Sequence, residues 1–274
     1  MIKLIVSDLD GTLLDHSKKV SQREIAAISR AKEAGIELCL ASGRMHSEMQ
    51  RVMKDIGHET YSVSQNGAFI HWNDGSFLQS KLFEPELAHR VYQLLNDFDI
   101  VKLICSGEAN YIARVSAASD EIEARMFQPF IVKSDAEQAL GTDLPTCKFS
   151  LFGEIEILLQ VIQVLKDQLG DQVETFISDK DCLDIMPQHV SKGSSLLVLL
   201  DQLGLQPDEV ACFGDSFNDV SMFGITPHSF AMNGAHPEVK QKATYQVGSV
   251  AEAIGHVFTH NDKQLLQGKG SSNL

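Results

Sequence analysis

Two aspartates stand directly after an apolar run near the start of the chain. Asp8 and Asp10, in the sequence Asp-Leu-Asp-Gly-Thr-Leu-Leu, follow the run Ile2–Val6. In open α/β sheets, ligands bind beyond the carboxyl ends of the strands, so two carboxylates spaced by one residue can converge there on a cation and a reacting group. Gly11 permits a sharp turn beside them. Taken alone, the motif also fits an ordinary Asp-Gly turn in a loop.

A second acidic motif follows another apolar run in the last third of the chain. The run Glu209–Phe213 leads into Gly-Asp-Ser-Phe-Asn-Asp, which ends at Asp219. By itself this pattern also fits a turn in which Asp219 caps a helix. Two buried strands that both end in acidic pairs would, however, place like charges at one edge of a sheet, which is unfavourable unless a cation neutralises them. Oxygen ligands without a nearby set of cysteines or histidines indicate Mg²⁺ rather than zinc.

Two further segments carry groups that could bind a phosphate. Ser42 and Gly43 follow the apolar run 36–41, where a hydroxyl and free backbone N–H groups could hold a phosphate at the start of a helix. An ordinary helix N-cap is the alternative for Ser42. Lys192 precedes a helical segment; a single lysine is usually a solvated surface group, but this site needs a fixed cation between an anionic nucleophile and an anionic substrate. Arg44 fits a contact to the phosphate or cap, or a surface ion pair.

The order of apolar and helical segments indicates how these groups are positioned. At both ends of the chain, short apolar runs alternate with helical patterns, which predicts a parallel sheet with helices on its faces. The predicted strands are 2–6, 36–41, 61–64, 209–213 and 230–232, and the predicted helices are 21–34, 45–56, 194–203, 219–223, 239–243 and 250–258. A hairpin is predicted between 68–72 and 76–82, around an Asn-Asp-Gly turn.

The middle of the chain has a different pattern. A helix followed by two strands occurs twice, and the segments are helices 84–98 and 155–169 and strands 100–105, 111–115, 173–178 and 182–186. We therefore predict an α/β fold class, with a doubly wound, Rossmann-like parallel core from residues 1–83 and 188–274 and an α+β cap domain inserted at 84–187. The polar tail from about residue 259 is predicted to be flexible.

Composition and charge argue against several classes of partner. The 274 residues include 37 acidic and 23 basic side chains, a formal net charge of −14, which argues against nucleic acid and anionic membrane surfaces. The first residues lack the pattern of a signal peptide, and their apolar run is too short to span a membrane. Five cysteines without a Cys-x-x-Cys pair indicate a reducing, cytoplasmic setting.

The sequence resembles the haloacid dehalogenase superfamily, and within it the Cof-type sugar-phosphatase group. The resemblance covers almost the whole chain and rests on five motifs in the family's order: D-L-D-G-T-L-L, A-S-G-R, Q-N-G-A, S-K-G and G-D-S-F-N-D. It implies three catalytic residues, namely Asp8 as nucleophile, Asp10 as general acid and base, and Lys192. It implies Mg²⁺ as cofactor, held by Asp8, the backbone carbonyl of Asp10, Asp215 and, in support, Asp219. It implies phosphate binding by Ser42, Gly43, Lys192 and Asn218.

The predicted function is hydrolysis of small phosphomonoesters through an aspartyl-phosphate intermediate. The resemblance implies sugar phosphates, nucleotides or phosphorylated cofactors as substrates. A phosphomutase is an alternative that would use the same intermediate and would depend on an added bisphosphate. A non-catalytic phospho-ligand sensor is another, but a binder has no need of Asp10 and would not turn over an aryl phosphate.

Overall fold

Two sheets organise the chain in this computed structural model, which describes residues 1–126 and 128–271, with side chains up to residue 267. The first part of the chain contributes β1 (Leu4–Ser7), α1 (Gln22–Glu33), β2 (Glu37–Ala41), α2 (His46–Ile56), β3 (Tyr61–Ser64), β4 (Phe69–His71) and β5 (Phe77–Ser80). The middle contributes α3 (Pro85–Leu94), β6 (Val101–Cys105), β7 (Asn110–Ile112), α4 (Ala117–Glu123), β8 (Ile131–Val132), α5 (Ala136–Ala139), β9 (Lys148–Phe152), α6 (Ile155–Leu169), β10 (Val173–Asp179) and β11 (Cys182–Pro187). The last part contributes α7 (Lys192–Leu203), β12 (Val210–Gly214), α8 (Val220–Phe223), β13 (His228–Met232), α9 (Pro237–Lys240), β14 (Tyr245–Val247) and α10 (Val250–Ser271).

The core sheet has the strand order β14-β13-β12-β1-β2-β3-β4-β5. The strands from β14 to β3 run parallel, and β4 and β5 add the predicted antiparallel hairpin. β1 is buried on both faces: Leu4 and Val6 pack with α7 and α8, and Ile5 packs with α1, α2 and α10. Burial on both faces explains why this strand is a continuous apolar run. The predicted doubly wound α/β fold class is confirmed.

The register of the central strands sets where the polar loops begin. Ser7 of β1 pairs with Phe213 of β12 on one side and with Leu40 of β2 on the other. The residues that follow these strands therefore lie at one carboxyl edge of the sheet, where loops after parallel strands form ligand sites.

The cap sheet has the strand order β10-β11-β9-β6-β7-β8. Its strands all lie between Val101 and Pro187, within the segment 84–187, which we call the cap segment. Strand β9 was not among the predicted strands, although it is paired on both sides by β11 and β6. One face of this sheet packs on α3 and α6. The domain boundaries themselves stay a prediction.

The C-terminal helix corrects one prediction from the sequence. Helix α10 continues beyond Phe258, its predicted end, to Ser271, and residues 272–274 lie outside the described part of the chain. The flexibility of the tail stays a prediction. The start of this extension contacts the residues before β1: the backbone N–H of Ile2 donates to Asn261 Oδ1 at 2.6 Å, and Asn261 Nδ2 donates to the Ile2 carbonyl at 2.9 Å. Within the described residues, no helix is both long and apolar enough to cross a membrane.

Candidate active site

The carboxyl edge of the core sheet gathers the predicted site residues. Asp8 follows β1, Ser42 follows β2 and Asp215 follows β12, and these three strands are neighbours. Lys192 is the first residue of α7, and Asn218 lies in the 3₁₀ turn that precedes α8. Buried strands and helix starts thus hold each side chain from a different part of the chain.

Lys192 lies between two aspartates in the interior. Its side chain is fully buried, and Nζ donates to Asp8 Oδ1 and to Asp219 Oδ1, both at 2.6 Å. Burial disfavours the ammonium, but the two carboxylates outweigh this and keep the pKa of Lys192 above its ordinary value. Burial raises the pKa of Asp8 well above its usual range, an effect that Lys192 opposes and Asp219 and Asp215 reinforce. Lys192 is therefore the cation that orients Asp8.

Asp219 uses both of its carboxylate oxygens within the protein. Oδ1 accepts from Lys192, and Oδ2 accepts from the backbone N–H groups of Asp215 and Ser216, both at 2.9 Å. A Cβ at Gly214 would collide with this carboxylate, so only glycine fits there. Asp219 therefore shapes the loop that carries Asp215 and positions Lys192. Its role as a metal ligand stays a prediction.

Asp8, Asp215 and Asp219 form an acidic cluster. Each offers a carboxylate oxygen, and these oxygens lie within 4.8 Å of one another. Burial, followed by the charge of Asp219, raises the pKa of Asp215 to about 6, although Thr12 Oγ1 donates to Asp215 Oδ1 at 2.9 Å. Three carboxylates against one buried ammonium leave a negative charge that a hard divalent cation would neutralise. The donor set therefore fits Mg²⁺.

Gly11 is required beside the acidic cluster for two reasons. Its φ is 78°, in the left-handed region that favours glycine. In addition, a Cβ at this position would collide with the carboxylate of Asp215. The turn after β1 can therefore approach the loop after β12 only because residue 11 has no side chain.

Asp10 lies apart from this cluster, in contact with two cations. Arg44 Nε donates to Asp10 Oδ2 and Arg44 Nη2 to Oδ1, both at 2.6 Å, and Lys18 Nζ donates to Oδ1 at 2.7 Å. Burial alone would raise the pKa of Asp10, but the hydrogen bonds and charges of Arg44 and Lys18 outweigh burial and hold it below its ordinary value. Arg44, for which the sequence left several roles open, has a side chain only 11% exposed and pairs bidentately with Asp10.

The segment after β2 offers one backbone donor rather than several. The N–H of Ser42 donates to the Val63 carbonyl, that of Arg44 to Ser42 Oγ, and that of Met45 to a Glu48 carboxylate oxygen. Among the described residues, the N–H of Gly43 has no acceptor. Helix α2 begins only at His46. The structure therefore corrects the expectation of several free N–H groups: Gly43 supplies the available amide, and Ser42 Oγ turns back to its own loop.

Asn218 is held by a residue to which the sequence assigned no role. It is buried, and its Nδ2 donates to Asn66 Oδ1 at 3.1 Å. Asn66 in turn donates from Nδ2 to Asp184 Oδ2 at 2.6 Å, across to the cap sheet. Asn218 Oδ1 is buried, and no donor in the described part of the chain contacts it.

A cavity of about 460 Å³ lies between the core edge and the cap sheet. Five of the predicted site residues line it: Asp8, Asp10, Ser42, Gly43 and Asn218. Three further predicted site residues lie next to Asp8 but are not among the residues that line the cavity: Lys192, Asp215 and Asp219. The cap contributes a mixed polar and apolar wall that includes Cys105, Asn110, Arg125, Met126, Lys148, Ser150, Phe152, Cys182 and Asp184.

The cap wall contains the polar residues that sequence reasoning missed. Lys148 and Ser150 belong to β9, which was not predicted, and Asp184 belongs to β11, which was predicted as strand only. A signal was available, because Lys-Phe-Ser-Leu-Phe at 148–152 alternates polar and apolar residues over its first four positions, with the period of a strand.

Comparisons with known proteins identify the relatives of this chain. The family model of haloacid dehalogenase-like hydrolases matches residues 5–258. The HMP-PP phosphatase of Klebsiella pneumoniae (strain 342) is 28% identical over 263 residues, covering 95% of this chain and 96% of the relative. The HMP-PP phosphatase of Escherichia coli O157:H7 is 27% identical over 267 residues, with the same coverage.

Solved structures share the fold over nearly the whole chain. A haloacid dehalogenase-like hydrolase from Bacteroides thetaiotaomicron has a TM-score of 0.80 at 27% identity, covering 94% of this chain and 100% of that one. A protein from Streptococcus mutans UA159 has a TM-score of 0.85 at 22% identity, with the same coverage. Together with the match of the family model over residues 5–258, this likeness shows that the chain belongs to the haloacid dehalogenase-like hydrolase family.

Proposed function

We propose that this protein hydrolyses small phosphomonoesters by transferring the phosphoryl group first to Asp8 and then to water, with Mg²⁺ as cofactor. Its family and its likeness to phosphatases over 95% of its length make it a phosphatase of small phosphate esters. The observation that supports the finer mechanism best is the position of Asp8, which lines the cavity while a fully buried Lys192 holds its Oδ1.

The first step uses the carboxylate of Asp8 as nucleophile. An oxygen of Asp8 forms a bond to phosphorus, the bond from phosphorus to the ester oxygen breaks, and the leaving oxygen takes up a proton. Lys192 keeps the nucleophile oriented and offsets the negative charge between it and the phosphate. In the second step, an oxygen of water forms a bond to phosphorus and the water gives a proton to a general base. The bond from phosphorus to the Asp8 oxygen breaks, which releases inorganic phosphate and the free carboxylate.

The acidic cluster would hold Mg²⁺ through Asp8 and Asp215, with the backbone carbonyl of Asp10 as the further ligand that the family resemblance implies. When bound, the ion would neutralise charge on the phosphoryl oxygens. Asp219 supports this arrangement from behind, because it fixes the loop of Asp215 and the ammonium of Lys192.

Asp10 is the proposed proton carrier. Its lowered pKa keeps the carboxylate ionised, which is the form that can accept a proton from the attacking water in the second step, but it also makes Asp10 a weaker base while Arg44 and Lys18 are in contact. To protonate the leaving group in the first step, the carboxylate has to give up its contacts to Arg44 and Lys18 and take a proton. We therefore propose that substrate binding exchanges these contacts.

The proposed substrates are small phosphorylated metabolites, such as sugar phosphates, nucleotides or phosphorylated cofactors. The relatives named HMP-PP phosphatase support this class, as does a cavity of about 460 Å³ with a mixed polar and apolar wall. We propose a cytoplasmic setting, because all five cysteines are free and buried.

The test measures turnover of p-nitrophenyl phosphate and of a panel of phosphorylated sugars, nucleotides and cofactors in the presence of Mg²⁺. We expect the wild type to be active and Asp8→Asn to be inactive and to take up no label from a phosphate-labelled substrate. Asp201→Asn, which changes an exposed aspartate on α7, is the matched control and should behave as the wild type. An inactive wild type across the panel, or a labelled Asp8→Asn protein, would refute the proposal.

A further inference from the structure

Two opposite charges are buried together on the face of the cap sheet that lines the cavity. Lys148 is 5% and Asp184 is 3% exposed, with Nζ 3.6 Å from Asp184 Oδ1. Ser150 lies opposite Asp184 in the register of β9 and β11, and its Oγ donates to Asp184 Oδ1 at 2.5 Å. A buried ion pair of this kind is weak evidence for stability, because desolvation offsets most of the attraction. Its presence beside the cavity therefore calls for a functional explanation.

Lys148 reaches from the cap into the loop after β2. Its Nζ donates to the Gly43 carbonyl at 2.9 Å. Gly43 is also the residue whose N–H has no acceptor among the described residues. This carbonyl belongs to the peptide group between Gly43 and Arg44, so the contact anchors the loop one peptide after the available N–H. Burial disfavours the charged form of Lys148. The charge of Asp184 outweighs burial and holds the pKa of Lys148 above its ordinary value.

Asp184 sets the orientation of two amide side chains in the core. A carboxylate only accepts hydrogen bonds, so the Asn66 amide must turn its Nδ2 towards Asp184 Oδ2, at 2.6 Å. Asn66 Oδ1 then faces Asn218 and accepts from Asn218 Nδ2 at 3.1 Å. The Asn218 amide is thereby oriented as well, and the second N–H of its Nδ2 has no acceptor among the residues that the structure describes.

The backbone that carries Asn66 is strained and held from both sides. Gln65 and Asn66 have φ values of 48° and 54°, in the left-handed region that non-glycine residues rarely adopt. The Asn66 N–H donates to the Ser42 carbonyl, and Gln65 Nε2 donates to the Ser106 carbonyl in the cap. Strain of this kind persists where the surrounding structure over-determines it, and it concentrates at functional sites.

From these contacts we propose, on the basis of the function above, that Lys148 and Asp184 form a positioning pair through which the cap orients the phosphate-binding groups of the core. Lys148 anchors the loop at the Gly43 carbonyl, next to the available N–H, and Asp184 fixes the Asn218 amide through Asn66. The phosphate-binding groups are therefore complete only when the cap segment lies in this position. Neither charge touches the reacting atoms.

The decisive variant is Lys148→Met combined with Asp184→Leu. Replacing both members of a buried ion pair by apolar residues of similar size is often neutral or stabilising, so this double variant should fold even if Lys148→Met alone does not. If Lys148 and Asp184 only stabilise the fold, the double variant should bind phosphate with wild-type affinity. If they position the phosphate-binding groups, the double variant should fold but bind phosphate weakly.

The measurement is binding of inorganic phosphate by calorimetry in the presence of Mg²⁺, together with kcat and KM for p-nitrophenyl phosphate and urea unfolding. We expect phosphate affinity to fall on the order of 10- to 100-fold, the scale on which misplaced positioning groups act, with KM raised and Mg²⁺ binding unchanged. Lys102→Met is the matched control, because Lys102 also lies on the cap sheet, but its Nζ donates to groups within the cap segment, the Leu95 carbonyl and Asn96 Oδ1. It should retain wild-type affinity.

Phosphate affinity at the wild-type level in a folded double variant would overturn the proposal. So would an equal loss in Lys102→Met, since the effect would then be a general property of cap lysines. These outcomes are separate from failure of the proposed function, which would appear as activity in Asp8→Asn or as an inactive wild type.

Discussion

Replacement of Lys192 by methionine tests the electrostatic account of the site most directly. The side chain keeps its length and apolar stem but loses the ammonium that donates to Asp8 and Asp219 at 2.6 Å. Removal of one partner from a buried charge pair costs about 3–5 kcal/mol, because the remaining charge is left uncompensated. Here two carboxylates lose the same partner, so we expect the free energy of unfolding to fall by at least that amount in the absence of metal.

The loss should depend on Mg²⁺. Without the ammonium, the acidic cluster has more uncompensated charge, so added Mg²⁺ should stabilise Lys192→Met more than it stabilises the wild type. Urea unfolding with and without Mg²⁺ measures this difference. Turnover of p-nitrophenyl phosphate should remain low even where Mg²⁺ restores stability, because the nucleophile has lost the group that orients it.

Lys18→Met provides the control for stability. Lys18 also donates to an aspartate, Asp10, at 2.7 Å, but its side chain is 46% exposed. An exposed pair contributes about 0–1 kcal/mol. A loss in Lys192→Met no larger than that in Lys18→Met, or one that Mg²⁺ leaves unchanged, would refute the reasoning that the buried ammonium balances the acidic cluster.

Three further predictions concern the metal, the proton carrier and a pair of histidines. Exhaustive chelation should abolish turnover and Mg²⁺ should restore it, because the acidic cluster needs a cation; full activity after chelation would contradict this. Asp10→Asn should slow hydrolysis of alkyl esters about 10²–10⁴-fold and let phospho-enzyme accumulate. Hydrolysis of p-nitrophenyl phosphate should slow less, because its leaving group needs no proton. Equal slowing of both esters without accumulation would show that Asp10 is not the proton carrier. Burial and the charge of His46, stacked at 3.7 Å, lower the pKa of His71 from 6.5 to about 4. Between pH 4 and 6.5 the unfolded chain therefore binds more protons than the folded chain, so the free energy of unfolding should fall as pH decreases from 6.5 towards 4. Urea unfolding should show a shallower fall with pH in His71→Phe. The same dependence on pH in this variant and the wild type would count against the linkage.

The fold class and the core half of the site follow from local features of the sequence. Asp8, Ser42 and Asp215 each come directly after an apolar strand, and strands buried on both faces are recognisable as continuous apolar runs. Once the parallel order is inferred, the carboxyl ends of these strands must meet at one edge of the sheet. The chemical types of these residues then indicate a cation and a phosphate without any knowledge of side-chain positions.

Only the tertiary structure decided which partners these side chains have. The pairing of Asp10 with Arg44, the fully buried position of Lys192 and the chain from Asp184 through Asn66 to Asn218 join residues between 27 and 184 positions apart in sequence. Such contacts depend on how whole sheets and helices pack, because the same local sequence could present these side chains to solvent. The cap contribution to the site therefore emerged from the packing of the cap sheet against the core edge, which no local pattern encodes.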